Sequence, residues 1–406
     1  MRYFDFRLRA IRNIINSVKG FIKTITGVNS VTLDNCVDDD SLMGIKIYGN
    51  SVQDGTPAPD SPVEIQSVGE LVTDESDEHY GKYKIPIKAR GKNLFDINSS
   101  SLLSGTIRGT LEKIDNGFKC TCTNTYESFR IAIAFPKSIF TIGKSYSVSF
   151  EGSNIRQVRV GHASSITDTT NNNVYGSYTI FPFGFMYDVE PSTDYILMLF
   201  YAESYETGDV IQVENIQIEE GSDTTDYEAY HEPKTFNIWA DEPIRKSRDY
   251  ADVVDLKSRR IKRQIATRLL TGGEPWLLQS TNAYGIANYY LNDYKNGISV
   301  IGNVLSDRFM PQSTTIANTM TEGIYGIANS HTYIRLNSER ASNVTAFKSW
   351  LAANNTTVIY AKNEESEEQI TLPYLPTFKG TTIYEIDTTV PPSKVETEYY
   401  SSASDE

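Results

Sequence analysis

Four histidines, His79, His162, His231 and His331, are scattered along 406 residues with no spacing that a metal site would need. Three cysteines are too few for a disulfide framework. Cys120 and Cys122 stand two apart on an expected strand, so their side chains share a face without bridging geometry, and buried thiols are the expectation. The chain contains no GxxxxGK[ST], HExxH or GxSxG, which removes phosphate-loop, zincin and nucleophile-elbow chemistry. Two acids fit for glycoside hydrolysis could be drawn from 52 carboxylates, because a sequence does not reveal their separation. No catalytic residue, metal ligand or cofactor is assigned. Binding chemistry has better support. A sugar presents hydroxyls and C–H faces, and is met by aromatic rings beside Arg, Asn, Asp or Gln. That mixture is densest at 126–130, 171–178 and 201–205, which makes Tyr126, Arg130, Tyr175, Tyr178, Tyr201 and Tyr205 the candidate sugar contacts. For each ring, packing within loops or between protomers is the competing role.

Composition limits the partners. A net charge of −14 argues against a nucleic-acid binder, since phosphates require a basic footprint. Tyr outnumbers Phe, 26 to 17, which suits both half-wet binding faces and ordinary β-strands. The one strongly basic stretch, Lys257 to Arg268, holds six cations and no acid. It would suit a polyanion, but a hairpin strand with Ile261 and Ile265 inward and its cations paired to this chain's own acids is preferred. No run approaches the roughly 18 apolar residues of a membrane span, and Arg and Asn interrupt any signal-peptide core, so assembly in the cytoplasm is expected.

The elements that must hold these residues begin with a helix. Phe4, Leu8, Ile11, Ile15, Val18, Ile22 and Ile25 recur at alternating intervals of 4 and 3, the seam of a coiled coil. β-Branched residues at both seam positions favour trimers or tetramers, so a homotrimer is expected. Six cations against Asp5 give residues 1–25 a net +5 and leave −19 for the rest. A helix lying on a membrane, with Ile14 and Phe21 widening its apolar face, and a plug into an acidic socket on another protein are the alternatives. Beyond it, 28–90 reads as a small β connector broken by Pro57, Pro59 and Pro62. Residues 91–232 carry regularly spaced strands bounded by Gly, Asn, Asp and Ser, the pattern of a sandwich or jelly roll. Residues 233–390 form a second, sandwich-like β block with one helix, capped by Ser342 or Asn343, whose Phe347, Trp350 and Leu351 share a face. Within it YGIAN occurs twice, at 284–288 and 325–329, which suggests either a duplication or chance. The acidic, Ser-rich end, 391–406, is expected to be flexible. The fold class is therefore mainly β, with a helix at 1–27.

Three phrases carry a resemblance: YGNSVQDGTPAPDSPVEIQSVG at 48–69, GKNLFD at 91–96, and IQIEEGS at 216–222 running on to YEAY at 227–230. In this order they resemble minor structural and tail-fibre or baseplate proteins of phages that infect Gram-positive, gut-type bacteria. Counterparts of 252–263, of FKSWL at 347–351 and of LPYLPTFKG at 372–380 extend the resemblance over roughly residues 30–390. It implies a virion component released by lysis, partnered by other tail, baseplate or capsid proteins, with a carbohydrate-binding-module-like jelly roll directed at host surface polysaccharide. Related jelly rolls often hold a structural Ca²⁺, for which Asp96 and Glu151 are conceivable ligands. The expectation is a trimeric adhesion protein without enzyme activity. A purely architectural neck, head-fibre or baseplate spacer is the first alternative, and a cell-wall polysaccharide depolymerase the second.

Overall fold

A computed structural model describes residues 19–26, 30–36, 44–102, 109–123, 130–163, 165, 172–188, 194–203, 206–292, 304–312, 320–327, 331–371 and 375–401. The described chain is mainly β with one α-helix, arranged as a frame into which two lobes are inserted. No helix among the described residues is long and apolar enough to cross a membrane.

The frame is a sandwich. One sheet has four strands in the order Lys234–Ala240, Tyr83–Arg90, Gly380–Ile386, Ser30–Cys36. The other has seven, running Lys19–Thr26, Lys394–Ser401, Gly44–Tyr48, Val253–Asp255, Arg260–Leu270, Thr356–Gln369, Leu305–Ser306. Alternation along the strands aims Ile85, Ile87 and Ile238 from the first sheet at Ile45, Ile47, Val254 and Val395 from the second, all fully buried. Lys84 and Lys88, out of phase with them, remain only partly buried.

These pairings correct the domain boundaries. Residues 28–90 are not a unit of their own, because Tyr83–Arg90 lies between Lys234–Ala240 and Gly380–Ile386. Residues 233–390 supply the rest of the same core. Nor is Lys394–Ser401 part of a free tail: it pairs with Lys19–Thr26 on one side and Gly44–Tyr48 on the other, burying Val395 and Thr397. Acidic composition pointed to disorder there, but the alternation of Val395, Thr397 and Tyr399 matched an available edge. Of the seam residues, Phe4, Leu8, Ile11, Ile15 and Val18 lie outside the described residues. Ile22 and Ile25 lie on a strand, opposite Glu398 and Val395, so no helix reaches residue 25.

A buried hub locks the frame. Asp252, with no exposed surface, accepts from the backbone N–H groups of Arg245, Gln264 and Ile265, at 3.1, 2.8 and 3.0 Å. Arg263 donates to the carbonyls of Pro243 and Glu242 and lies against Glu368 at 2.6 Å and Asp252 at 3.4 Å. Burial pushes the Asp252 carboxyl up, against the opposing pull of Arg263 and the three N–H groups. Two further cations of the basic stretch face acids on the neighbouring strand, Arg260 with Glu367 and Lys262 with Glu365, and Ile261 and Ile265 are buried.

The first lobe, residues 91–230, enters and leaves where Ala89 pairs with Lys234. Two five-stranded antiparallel sheets face each other. One runs Phe183–Tyr187, Lys144–Ser153, Val210–Glu220, Gly117–Cys122, Gly109–Ile114, and the other Asn172–Tyr178, Ile155–Ala163, Tyr195–Ala202, Arg130–Pro136, Ser101–Leu102. Cys120 and Cys122 both point into the core between them; burial and the neighbouring thiol push Cys120 up to about 12, which makes it inert. The phrases that open and close this lobe are fastened to one another. The buried Asn93 amide donates to the carbonyls of Ile216 and Glu228 and accepts from the N–H groups of Phe95 and Ile218. Glu228 then accepts from the Thr381 N–H and hydroxyl, tying lobe to frame. Gly380 has φ +88°, and a Cβ there would overlap the Glu228 carboxylate.

The second lobe is inserted between Leu270 and Thr356, whose strands pair in the frame. Its antiparallel sheet runs Trp276–Thr281, Ile286–Asn292, His331–Asn337, Gly323–Gly326. Helix α1 (Val344–Ala353) covers one face. Asn343 caps it by accepting the Ala346 N–H. Phe347 stacks on Tyr289 at 3.9 Å and meets Trp276 edge-on at 5.1 Å; Leu351 is buried beside it and Trp350 partly so. The proline run packs against this lobe: Arg308 donates to the Pro59 carbonyl at 2.8 Å and Arg340 pairs with Asp60.

Candidate functional site

The sheet of the first lobe that contains Tyr195–Ala202 has two faces made by strict alternation. Ile196, Met198, Phe200 and Ala202 enter the sandwich core, together with Ile131, Ile133 and Phe135 on one neighbouring strand and Val158 and Val160 on the other. Leu197, Leu199 and Tyr201 point the opposite way, joined by Ala132, Ala134 and Ala163 in a buried apolar strip. At one end of that strip three strands place Gln157, Tyr201 and Arg130 in a row, since Tyr201 lies opposite both others.

Arg130 donates to the Tyr201 hydroxyl at 2.8 Å, and its guanidinium carbon is 5.5 Å from the centre of the Tyr201 ring. Arg159, one pair further along, lies 4.9 Å from the same ring and donates to the Gln157 amide oxygen at 3.2 Å. Two guanidinium groups thus bracket one tyrosine, both partly exposed, with the ring itself almost fully buried. Among the described residues no carboxylate lies within ion-pair distance of Arg159. Ser177, opposite Arg159 on the next strand, adds an exposed hydroxyl. The cluster is rich in donors around an aromatic ring, an arrangement that accepts oxygen-bearing ligands: guanidinium forks suit hydroxyls, carboxylates and phosphates.

Of the six predicted sugar contacts the structure joins Arg130 and Tyr201. Tyr126 and Tyr205 lie outside the described residues. Tyr175 and Tyr178 pack against the sandwich core instead: Tyr175 is 5.5 Å from Phe185 and 5.3 Å from Tyr187, while Tyr178 stacks on Phe183 at 4.1 Å and donates its hydroxyl to the Tyr175 carbonyl. Register explains this, because Tyr178 lies opposite inward-facing Val158. Gln157 and Arg159 were not among the predicted contacts, although the alternation of Val158 and Val160 was the signal that its neighbours face outward.

The suggested Ca²⁺ ligands serve other purposes. Asp96 accepts the N–H groups of Asn98 and Ser99 to close a turn, and Glu151 is exposed opposite Glu214. No cluster of three or more His, Cys, Asp or Glu able to hold a metal occurs among the described residues. Comparison with protein-family models, with curated proteins and with solved structures found no match to this chain.

Proposed function

We propose that this chain is a structural protein of a phage particle, of tail-fibre or baseplate kind, which adheres to polysaccharide on the host surface. The reading rests on one observation: Arg130 and Arg159 bracket Tyr201 on the face of the first lobe turned away from its core. The strand order supports treating that lobe as a jelly roll. Between four strands of one sheet and four of the other the chain crosses at every step except the hairpin of Ile155–Ala163 and Asn172–Tyr178, as in a Greek-key jelly roll, with the first and last of the eight, Gly117–Cys122 and Val210–Glu220, adjacent. The phrases resembling phage tail proteins agree with that role; Asn93 and Glu228 give them a structural reason to occur together. The particle, its trimer and its other virion partners belong to this same proposal.

Adhesion of this kind is multivalent. A cluster of one ring and two guanidinium groups is weak alone, and repetition over protomers and fibres raises the avidity without a tight site. Binding without bond cleavage is the role proposed, and no sugar release from host envelopes is expected. The experiment is a glycan array probed with the purified protein, alongside sedimentation with intact Gram-positive cells. Retention on cells and on a subset of surface glycans is expected. A protein that binds neither acts as an architectural spacer.

A further inference from the structure

The face of the second lobe's sheet opposite helix α1 carries a cluster that the first lobe's site does not involve. Ala287, Tyr289, Leu291, Ile334 and Leu336 point into the lobe's core. The residues between them therefore point the other way, and register sets them in two rows. Tyr290, Tyr333 and Tyr325 lie opposite one another across three strands, and Asn288 lies opposite Arg335. Tyr325 and Tyr333 stack with ring centres 4.6 Å apart and planes 1° from parallel, and the Arg335 guanidinium lies 4.3 Å from the centre of the Tyr325 ring. Beside them is a cavity of about 390 Å³, lined by Gln279, Ser280, Asn288, Tyr325, Tyr333 and Arg335 among others. That is within the size range of small-ligand pockets, roughly 300–1,000 Å³.

Two polar groups in this cavity are incompletely partnered. Arg335 is only 3% exposed, yet among the described residues no carboxylate lies within ion-pair distance of it. Among the described residues its guanidinium makes one hydrogen bond, to the Gln312 amide oxygen at 2.7 Å. A guanidinium carries five N–H donors, and burying its charge without a counter-charge is costly. The second group is the Asn288 side-chain oxygen, buried with no hydrogen-bond partner, while its amide nitrogen donates to Gln279 at 2.6 Å and to the Tyr325 hydroxyl at 3.2 Å. One group calls for an anion and the other for a hydroxyl. Their direct cross-strand pairing brings both within reach of a single ligand residue.

We propose that this cavity binds an acidic sugar unit, its carboxylate or phosphate held by Arg335 and a ring hydroxyl donated to the Asn288 oxygen. The repeated pentapeptide contributes from both copies, Asn288 from the first and Tyr325 from the second. The copies are not equivalent strands. They flank the same central strand, but Asn288 faces Arg335 and Tyr325 faces Tyr333, so the repetition converges on the cavity rather than duplicating a fold. This site is independent of the Arg130–Tyr201–Arg159 face and stands whether or not that face binds glycan.

The test is calorimetric titration of the full chain with methyl glucuronide, a hexose 6-phosphate and neutral methyl glucoside. Saturable binding of an acidic probe at least about tenfold tighter than the neutral one is expected, given the strength of charge-assisted hydrogen bonds. Preference for the glucuronide or for the phosphate identifies the anion. Arg335→Met should abolish the preference for acid, Asn288→Ala should weaken every probe, and Lys144→Ala, in an exposed pair on the first lobe, should change neither. Equal affinity for acidic and neutral probes, or no binding of either acidic probe, overturns the proposal even if Arg335→Met does not fold.

Discussion

Arg263→Ala is expected to lower the stability of the frame by about 3–5 kcal/mol, the range found when one partner of a buried ion pair is removed. The substitution strands more than one group. Asp252 loses the cation 3.4 Å from it while remaining fully buried, and the carbonyls of Pro243 and Glu242 lose their donor. Glu368, on the neighbouring strand, loses its 2.6 Å contact. Asp252 would retain its three backbone N–H donors, so its charge is cushioned but no longer neutralised. Denaturant unfolding followed by tryptophan fluorescence reads the midpoint. A shift equivalent to under about 1 kcal/mol would show that the hub is no more than an exposed surface pair. The exposed pair Lys144–Glu220 in the first lobe provides the contrast, and its removal is expected to cost at most about 1 kcal/mol.

Asn93→Ala should destabilise the first lobe by on the order of 4 kcal/mol, because each buried backbone group left unpaired costs about 1–3 kcal/mol. Four such groups depend on this one amide: the carbonyls of Ile216 and Glu228 and the N–H groups of Phe95 and Ile218. Since Glu228 also bridges to Thr381, the loss should loosen the attachment of lobe to frame. Hydrogen exchange would show faster exchange at 91–98 and 214–230 than in the frame strands. Unchanged protection at both ends of the lobe would mean that the two phrases are held together by something other than Asn93.

Local pattern revealed the strands, while their partners lay too far away in sequence to be read. Tyr83–Arg90 alternates plainly, yet nothing near it says that its neighbour is Gly380–Ile386, almost 300 residues on. That is why the connector and the C-terminal block looked like separate domains. The helix at 344–353 was legible because its cap, its apolar spacing and its end are all local. Near the N-terminus, Ile22 and Ile25 fit a heptad by spacing but sit on a strand paired with Lys394–Ser401. At the candidate site, residue type pointed to aromatic and basic side chains, whereas facing decides which of them meet. Tyr178 faces inward because it lies opposite Val158, and a register irregularity between Val160 and His162 falls next to Tyr175, so neither joins the outward row that contains Tyr201. The second lobe's cavity left one trace in the sequence, the repeated YGIAN, and only the fold shows that its two copies touch.

The central claim is that Arg130 and Arg159, flanking Tyr201, bind host polysaccharide. Its most direct measurement is titration of purified Gram-positive cell-wall polysaccharide against the native protein and the Arg130→Ala/Arg159→Ala double variant. With charge-assisted hydrogen bonds worth about 1.5–3 kcal/mol each, loss of both arginines should weaken binding about a hundredfold or more, with the thermal midpoint little changed. Equal affinity of the two proteins for the polysaccharide would contradict it.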